Sequence, residues 1–147
     1  MSGFLVDTNV VSEFRKKERC NPNVKAWSDA QPRNEVFISV VVLAEIRFGI
    51  LSTSDVAFKK DLEDWLQNEV RTWFSGRALR VDERVILRWR EMLEKGRKSG
   101  HTFSQPDLFI AAQADLRDLT VVTRNVDDFK VAGVPVLNPW EYTGKVT

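Results

Sequence analysis

The 147-residue sequence contains a single cysteine, Cys20, and a single histidine, His101. One cysteine excludes an intramolecular disulfide, and one histidine excludes a zinc site of the paired Cys/His type. No stretch reaches the roughly eighteen consecutive apolar residues of a transmembrane helix, and no basic segment followed by an apolar run opens the chain. These absences predict a soluble, cytoplasmic protein whose fold needs neither disulfides nor zinc.

An excess of charge of one sign is also missing, since 22 Lys and Arg residues accompany 21 Asp and Glu residues. The near-neutral total does not by itself indicate a nucleic-acid-binding protein, although local fields can differ from the total. Basic residues concentrate at positions 15–19 and 84–98, and we interpret both stretches as solvated helix surface. The length and an apolar content of 43% suit one compact domain over residues 1–147.

Hydrophobic periodicity divides the chain into alternating strands and helices. Short apolar or β-branched runs predict strands at residues 3–6, 35–39, 78–81, 119–123 and 134–137. Helical spacing and length predict helices at residues 8–17, from 22 onward, and at 40–51, 55–75, 82–98 and 106–116. This alternation predicts an α/β fold, with a central parallel sheet of about four or five strands and helices on both faces. Ligands of such folds bind beyond the carboxyl ends of the strands.

Two acids in the N-terminal half stand out by their position. Asp7 directly follows the first predicted strand, where it is a candidate site residue or simply the N-cap of the next helix. Glu45 lies in a predicted helix whose neighbouring positions at helical spacing include Val41 and Phe48. An unpaired carboxylate on such an apolar face is costly. Glu45 is therefore either a functional acid or one member of a buried salt bridge, with Arg47 or another arginine.

Two further acids occupy comparable positions in the C-terminal half. Asp107 lies in the first turn of its helix, where the helix dipole alone favours an acid. Its face continues through Ile110, however, so the carboxylate is expected to point inward. Asp128 follows the fourth predicted strand. It could instead complete a capping box with Asn125, and Asp127 competes with it for any functional role.

The four acids are more informative together than separately. A doubly wound sheet can bring them to one edge, because each lies near the end of a strand or at the start of an inward-facing helix. Carboxylates packed together repel one another strongly at a low effective dielectric. Hard divalent cations such as Mg²⁺ or Mn²⁺ relieve that repulsion, prefer oxygen ligands and commonly serve phosphoryl chemistry. The candidate metal ligands and catalytic residues are Asp7, Glu45, Asp107 and Asp128.

The segments around these acids also carry a family resemblance. The chain resembles PIN-domain ribonucleases, and specifically the VapC/FitB-like toxins of bacterial type II toxin–antitoxin systems. The segments match in family order and at family-like spacing over nearly the whole chain. They are Leu5-Val6-Asp7-Thr8-Asn9-Val10-Val11-Ser12, residues 39–49 with Leu43-Ala44-Glu45-Ile46, Asp107-Leu108-Phe109-Ile110-Ala111-Ala112, Val121-Val122-Thr123-Arg124-Asn125 through Phe129, and Asn138-Pro139-Trp140.

The resemblance implies a site and a function. In the family, the first Asp, the helix Glu and the later Asp form the metal-binding core, which corresponds here to Asp7, Glu45 and Asp107. The fourth acid stands in some members where this chain has Asn125, and in others where it has Asp128. The resemblance further implies Mg²⁺ or Mn²⁺ as cofactor, a homodimer, inhibition by a small antitoxin, and RNA cleavage that leaves a 5′-phosphate. The polar residues that correspond to supporting positions are Thr8, Asn9, Thr123 and Asn125.

The prediction is therefore an endoribonuclease toxin that acts on RNA and binds its cognate antitoxin protein, without membrane contact and with DNA contact only through the antitoxin. Asp7 and Asp107 are the expected main metal ligands, and Glu45 and Asp128 complete the site and orient the attacking water. The alternative is a catalytically silent PIN-like module that binds RNA or a partner. A haloacid-dehalogenase-like phosphatase would need an acid two places after the first one, where this chain has Asn9.

Large apolar side chains recur at helical spacing on the predicted helix at residues 55–75. Tryptophans can stack on bases, but this spacing favours packing. The side chains are more numerous than a small domain easily covers, so we expect part of this surface to bind a second copy or the antitoxin. They include Phe58, Leu62, Trp65, Leu66 and Trp73.

Overall fold

The computed structural model describes residues 3–144 and contains one sheet of five parallel strands in the order β3-β2-β1-β4-β5. The predicted α/β fold is confirmed. Each predicted strand is present but shorter than expected, because the outermost residues of each run leave the hydrogen-bonded ladder. The strands are β1 (Phe4–Val6), β2 (Val36–Ser39), β3 (Ala78–Leu79), β4 (Thr120–Val122) and β5 (Val136–Leu137).

Helices connect successive strands, as a parallel arrangement requires. Five of them start at a residue whose side chain accepts a hydrogen bond from a backbone N–H of the first turn: Asp7, Asn21, Ser39, Asp55 and Asp82. The helices are α1 (Thr8–Phe14), α2 (Pro22–Ala30), α3 (Val40–Leu51), α4 (Val56–Trp65), α5 (Arg71–Trp73), α6 (Glu83–Lys98), α7 (Gln105–Arg117) and α8 (Asp127–Ala132), with 3₁₀ turns at Lys17–Arg19, Arg33–Glu35 and Pro139–Glu141. None of the helices within residues 3–144 is both long and apolar enough to cross a membrane.

The predicted helix at residues 55–75 is not uniform, because a π-helical segment, Leu66–Val70, lies between α4 and α5. Its wider turns change which side chains face the sheet. Leu66 is buried, and Trp65 and Trp73 pack against the core. Leu66 is therefore not available to a partner, whereas Trp65 and Trp73 remain partly accessible along a surface groove.

Exposed apolar side chains do occur nearby, on the end of α3 and the start of α4. Phe48 and Leu51 of α3 are 70% and 59% exposed, and Val56 and Phe58 of α4 are 82% and 43% exposed. We call these four residues the α3–α4 patch. The most exposed apolar surface thus begins about one helix earlier than the predicted one, and Phe58 belongs to both.

The strand order places a topological switch point between β1 and β4. From β1 the chain proceeds to β2 and β3 on one side, then crosses back to β4 and β5 on the other. Right-handed crossovers put α1 to α5 on one face of the sheet and α6 to α8 on the opposite face. Val6 is aligned with both Ile38 and Val122. Residues that follow these strands therefore meet at one level, where open α/β sheets bind ligands.

Candidate active site

Asp7 lies immediately beyond β1 at this switch point, and its side chain is buried with 6% exposure. Its backbone N–H donates to the carbonyl of Val122 at 2.9 Å, which extends the ladder by one residue. The carboxylate accepts two hydrogen bonds, from the Thr8 N–H to Oδ1 and from the Thr123 hydroxyl to Oδ2, both at 2.8 Å. Asp7 is also the N-cap of α1, so the capping interpretation and the site interpretation describe the same side chain.

Polar residues around Asp7 form a connected network. The Oγ1 atom of Thr123, which donates to Asp7, accepts from the Asn9 side-chain amide and from the Asn125 backbone N–H, both at 3.1 Å. The side-chain oxygen of Asn9, Oδ1, in turn accepts from the Arg124 backbone N–H at 3.2 Å. The structure thus brings all the expected supporting residues to the site, with Asn125 acting through its backbone. Asn9 is engaged in holding Thr123, as a neutral amide rather than the acid of a phosphatase motif.

Asp107 begins the inward-facing side of α7 and is half-buried. Burial, together with the negative charges of Asp7, Asp128 and Glu45, raises the pKa of its carboxyl group to about 6. Burial also raises the pKa of Asp7, although the hydrogen bonds from Thr123 and Thr8 oppose this effect. The structure therefore brings the four predicted acids close enough for three of them to act electrostatically on the fourth.

Glu45 is exposed on α3, and its neighbour Phe48 is 70% exposed. The buried salt bridge considered as an alternative for Glu45 is therefore wrong. The inner face of α3 is instead formed by Val42, Leu43, Ile46 and Ile50. Because α3 is apolar around nearly its whole circumference, the spacing of apolar residues does not reveal which side faces the core. Glu45 is the most exposed of the four acids.

Asp128 lies in the first turn of α8 and contacts a loop that the sequence did not single out. Its Oδ1 atom lies 3.1 Å from Nε2 of His101, and its Oδ2 accepts from the Ser104 N–H at 3.3 Å. The capping-box alternative is wrong, because Val126 is the N-cap of α8 and no side chain bonds there. Asp127 is exposed. In the sequence, the one signal for His101 is its position in the polar loop just before Asp107.

An open cleft adjoins the acids, lined by Asp107, Arg124, Asn125, Val126, Asp127 and Asp128. Arg124 is exposed at its edge, and its guanidinium lies 5.0 Å from the centre of the Trp140 ring. Such a cation–π contact holds the arginine near the cleft. The cleft therefore combines buried negative charge with a positively charged, solvent-exposed edge.

The residues present fit a hard divalent cation in chemistry and in charge. All four acids offer oxygen ligands, and no ion pair to Asp7 or Asp107 occurs in the part of the chain that the structure describes. A bound cation would compensate the charges that raise the pKa of Asp107. Within residues 3–144, no group of three or more Asp, Glu, His or Cys side chains is arranged closely enough to hold a metal ion as it stands. The fit thus rests on donor type and uncompensated charge.

The chain is thus an α/β protein with a parallel sheet, and its acids form an oxygen-only site at the switch point of that sheet. The family model for the PIN domain matches residues 4–134, a range that contains the four acids. The chain belongs to the PIN-domain family. This confirms the resemblance inferred from the sequence motifs.

Individual relatives match over nearly their full length. The chain is 32% identical to the VapC ribonuclease Y4jK of Sinorhizobium fredii, over 93% of this chain and 97% of that protein. It is 34% identical to the toxin FitB of Neisseria gonorrhoeae, over 92% of this chain and 97% of that protein. The crystal structure of FitAcB from Neisseria gonorrhoeae is similar with a TM-score of 0.87 and 33% identity, covering 94% of this chain and 99% of that chain.

Proposed function

We propose that this chain is a divalent-metal-dependent endoribonuclease and the toxin of a toxin–antitoxin pair. The observation that carries the proposal is Asp107, whose pKa is raised to about 6 by burial and by the charges of three other acids. Acids whose pKa values are raised by burial and by one another cluster at functional sites, and this group lies at the edge where open α/β sheets bind ligands. The names of two relatives, a VapC ribonuclease and the toxin FitB, support RNA cleavage and toxin activity.

Asp7 and Asp107 would be the main ligands of Mg²⁺ or Mn²⁺, with Asp128 and Glu45 completing the site directly or through water. When bound, the cation lowers the pKa of a coordinated water and stabilises negative charge on phosphoryl oxygens. Asp7 is held by Thr8 and Thr123 through one hydrogen bond to each oxygen. These hydrogen bonds orient the carboxylate before any ligand binds. Each oxygen keeps a further lone pair that a cation could accept.

The remaining residues would serve the RNA and the attacking water. Glu45 is exposed, which suits an acid that orients a water molecule and accepts a hydrogen bond from it. Arg124 at the edge of the cleft offers its guanidinium to a backbone phosphate. Hydrolysis that breaks the bond between phosphorus and the 3′ oxygen leaves a 5′-phosphate and a 3′-hydroxyl. We accordingly expect 5′-phosphate ends on the products.

The α3–α4 patch supports a homodimer. Four large apolar side chains, each more than 40% exposed, lie on adjacent helices that contact one another. Burying such side chains against a second copy is favourable by about 25 cal/mol per Å² of apolar surface. Because Glu45 lies on the same helix, a dimer formed through this patch would place the two acid sites near the interface.

A separate groove supports an antitoxin partner. It lies between α1 and the α4–α5 segment, and its lining is largely apolar and aromatic. A short amphipathic segment of a partner fits a groove of this kind. We propose that the antitoxin binds here and extends toward the acidic cleft. The residues that line the groove include Val11, Phe14, Trp65, Val70, Trp73 and Phe74.

The test is cleavage of a mixed-sequence RNA by the full chain freed of antitoxin, with Mn²⁺, with Mg²⁺ and with EDTA. We expect cleavage that requires the metal and yields 5′-phosphate ends. Asp107→Asn is the matched control, because it removes the charge while nearly preserving shape. Folded wild-type protein that binds RNA but cleaves nothing with either metal would favour the silent binding module instead.

A further inference from the structure

Asp128 is held in the same way as Asp7, although it lies on a different element. Asp7 has one hydrogen-bonding partner on each carboxylate oxygen, Thr8 and Thr123. Asp128 likewise has His101 Nε2 at 3.1 Å from Oδ1 and the Ser104 N–H at 3.3 Å from Oδ2. One donor on each oxygen fixes the plane of a carboxylate and still leaves lone pairs for a ligand.

The local sequence determines where His101 lies. Helix α6 ends in a Schellman motif, in which the His101 N–H donates to the carbonyl of Gly96 at 2.8 Å and the Gly100 N–H donates to that of Arg97 at 3.1 Å. Gly100 has the positive φ of 77° that this motif requires. The backbone of His101 is therefore fixed by the end of a long helix rather than by the loop that follows.

The imidazole ring of His101 is fixed by a second contact. It packs edge-on against the Phe103 ring, with centroids 4.4 Å apart. Phe103 in turn lies against Gly96, where an added Cβ would come within 2.5 Å of the ring. The side chains of His101 and Asp128 are 29% and 25% exposed, so their contact is shielded from most of the solvent.

We propose that His101 is a positioning residue, which acts with the backbone of Ser104 to orient Asp128 toward Asp107 as the fourth acid of the site. This proposal rests on the proposed metal-dependent function and adds a residue to it. His101 donates through Nε2 in this role, and its own ring need not touch RNA or metal. The effect is transmitted through Asp128, whose negative charge acts on Asp107. Substituting a residue that orients a metal-ligating carboxylate typically lowers metal affinity or activity by about 10- to 100-fold.

Three substitutions of His101 separate the donor from the ring. His101→Phe keeps an aromatic ring against Phe103 but removes the donor. His101→Gln carries its amide nitrogen at the reach of Nε2, whereas the shorter His101→Asn ends near the position of Nδ1. If the donor at Nε2 is what matters, Gln should restore function and Asn should not.

The readouts are Mn²⁺ affinity by titration calorimetry and RNA cleavage, each on the full antitoxin-free chain, with thermal melting to verify folding. We expect His101→Phe and His101→Asn to bind Mn²⁺ about 10- to 100-fold more weakly, and His101→Gln to remain within about threefold of wild type. In an Asp128→Asn background, His101→Phe should cause no further loss. If His101→Phe does not fold, the comparison of Gln with Asn decides the question alone.

Wild-type Mn²⁺ affinity in His101→Phe, equal losses in Gln and Phe, or fully additive losses with Asp128→Asn would each overturn the positioning role. These results would leave the proposed function intact as long as Asp107→Asn abolishes metal binding and cleavage. Wild-type behaviour of Asp107→Asn would instead overturn the metal site, and the positioning role with it.

Discussion

Asp7 and Glu13 lie near the two ends of α1 and are almost equally buried, at 6% and 8% exposure, yet their surroundings differ. Glu13 accepts from Lys16 Nζ at 2.9 Å and from the Asn21 N–H at 2.8 Å. Burial alone would raise the pKa of Glu13, but these hydrogen bonds and the charges of Lys16 and Arg124 lower it. Asp7 receives neutral donors, and its pKa is raised by burial.

The difference separates a structural acid from a candidate ligand. When a buried carboxylate is paired with a cationic side chain, its charge is already balanced. Such an acid has a structural role and does not need a metal ion. A buried carboxylate that has neutral donors and another acid nearby keeps unbalanced charge, and a bound cation can supply what is missing. Burial alone therefore does not distinguish the candidate ligand from the structural acid. The sign of the charges around each carboxylate distinguishes them.

The largest expected effect comes from isosteric changes at these two acids. Asp7→Asn should reduce metal-dependent RNA cleavage by more than about a hundredfold, since changes to supporting residues alone already cost up to that much. It should leave the melting temperature unchanged or higher. Glu13→Gln should leave Mn²⁺ affinity unchanged and destabilise the protein by about 1.5–3 kcal/mol, because it loses hydrogen bonds to a charged group. Cleavage assays and urea unfolding of both variants measure the two effects.

An active Asp7→Asn protein would remove the distinction between the two acids. So would a Glu13→Gln protein that keeps its stability but no longer binds Mn²⁺. Wild type carried through the same purification is the reference, and circular dichroism of each variant shows whether lost activity reflects lost structure.

A smaller effect is expected at the adjacent acids of α8. Asp128 acts on Asp107 and accepts hydrogen bonds from His101 and Ser104, whereas Asp127 is exposed. Asp128→Asn should therefore lower cleavage by about 10- to 100-fold, and Asp127→Asn by less than about threefold. Initial rates measured over a series of Mn²⁺ concentrations that brackets the wild-type dissociation constant provide the comparison. The opposite ranking would show that the fourth acid is one position earlier than proposed.

Sequence reasoning predicted well wherever one strand end determines a side chain's environment. Asp7 and Thr123 follow aligned strands, so the parallel register brings them together once the fold is known. The surroundings of Glu45 could not be predicted in this way, because α3 is apolar on nearly all sides and its inner face depends on tertiary packing. The contact between His101 and Asp128 joins two segments that no local pattern relates, since it depends on how the end of α6 docks beside α8.

The π-helical segment after α4 was also beyond local patterns. The apolar spacing at residues 55–75 suits an uninterrupted helix, and only packing against the core determines that Leu66 and Val70 turn inward. The most exposed apolar side chains of this region lie instead on the α3–α4 patch, on the same helix as Glu45.

The α3–α4 patch gives a prediction about assembly. Phe48→Ser should weaken the proposed homodimer by about tenfold or more, because a large apolar side chain leaves the interface. The same change should alter the stability of the subunit by less than about 0.5 kcal/mol, since Phe48 is 70% exposed. Sedimentation equilibrium over a concentration series measures dimerisation. A wild-type chain that stays monomeric at high micromolar concentration would contradict the dimer itself.

The smallest expected effect concerns how the stability of the fold depends on pH, because Asp107 and Glu13 should contribute slopes of opposite sign. Asp107 has an ordinary pKa of 3.8 that rises to about 6 in the folded chain. The folded state therefore holds this proton more tightly than the unfolded state, and metal-free protein should lose stability as pH rises from about 4 to 6. Glu13 has a pKa lowered from 4.5, so its contribution is present above that value and is lost as pH falls through the folded pKa.

Thermal melting across this range, with and without Mn²⁺, resolves the two slopes. Asp107→Asn should flatten the loss between about pH 4 and 6, and Glu13→Gln should reduce the loss at lower pH. Mn²⁺ at a hundredfold excess over its dissociation constant should add about 2.7 kcal/mol to wild type. That gain should be largest at neutral pH, where Asp107 is ionised, and should persist in Glu13→Gln but be small in Asp107→Asn. Equal Mn²⁺ stabilisation of all three proteins at every pH would place the metal away from Asp107.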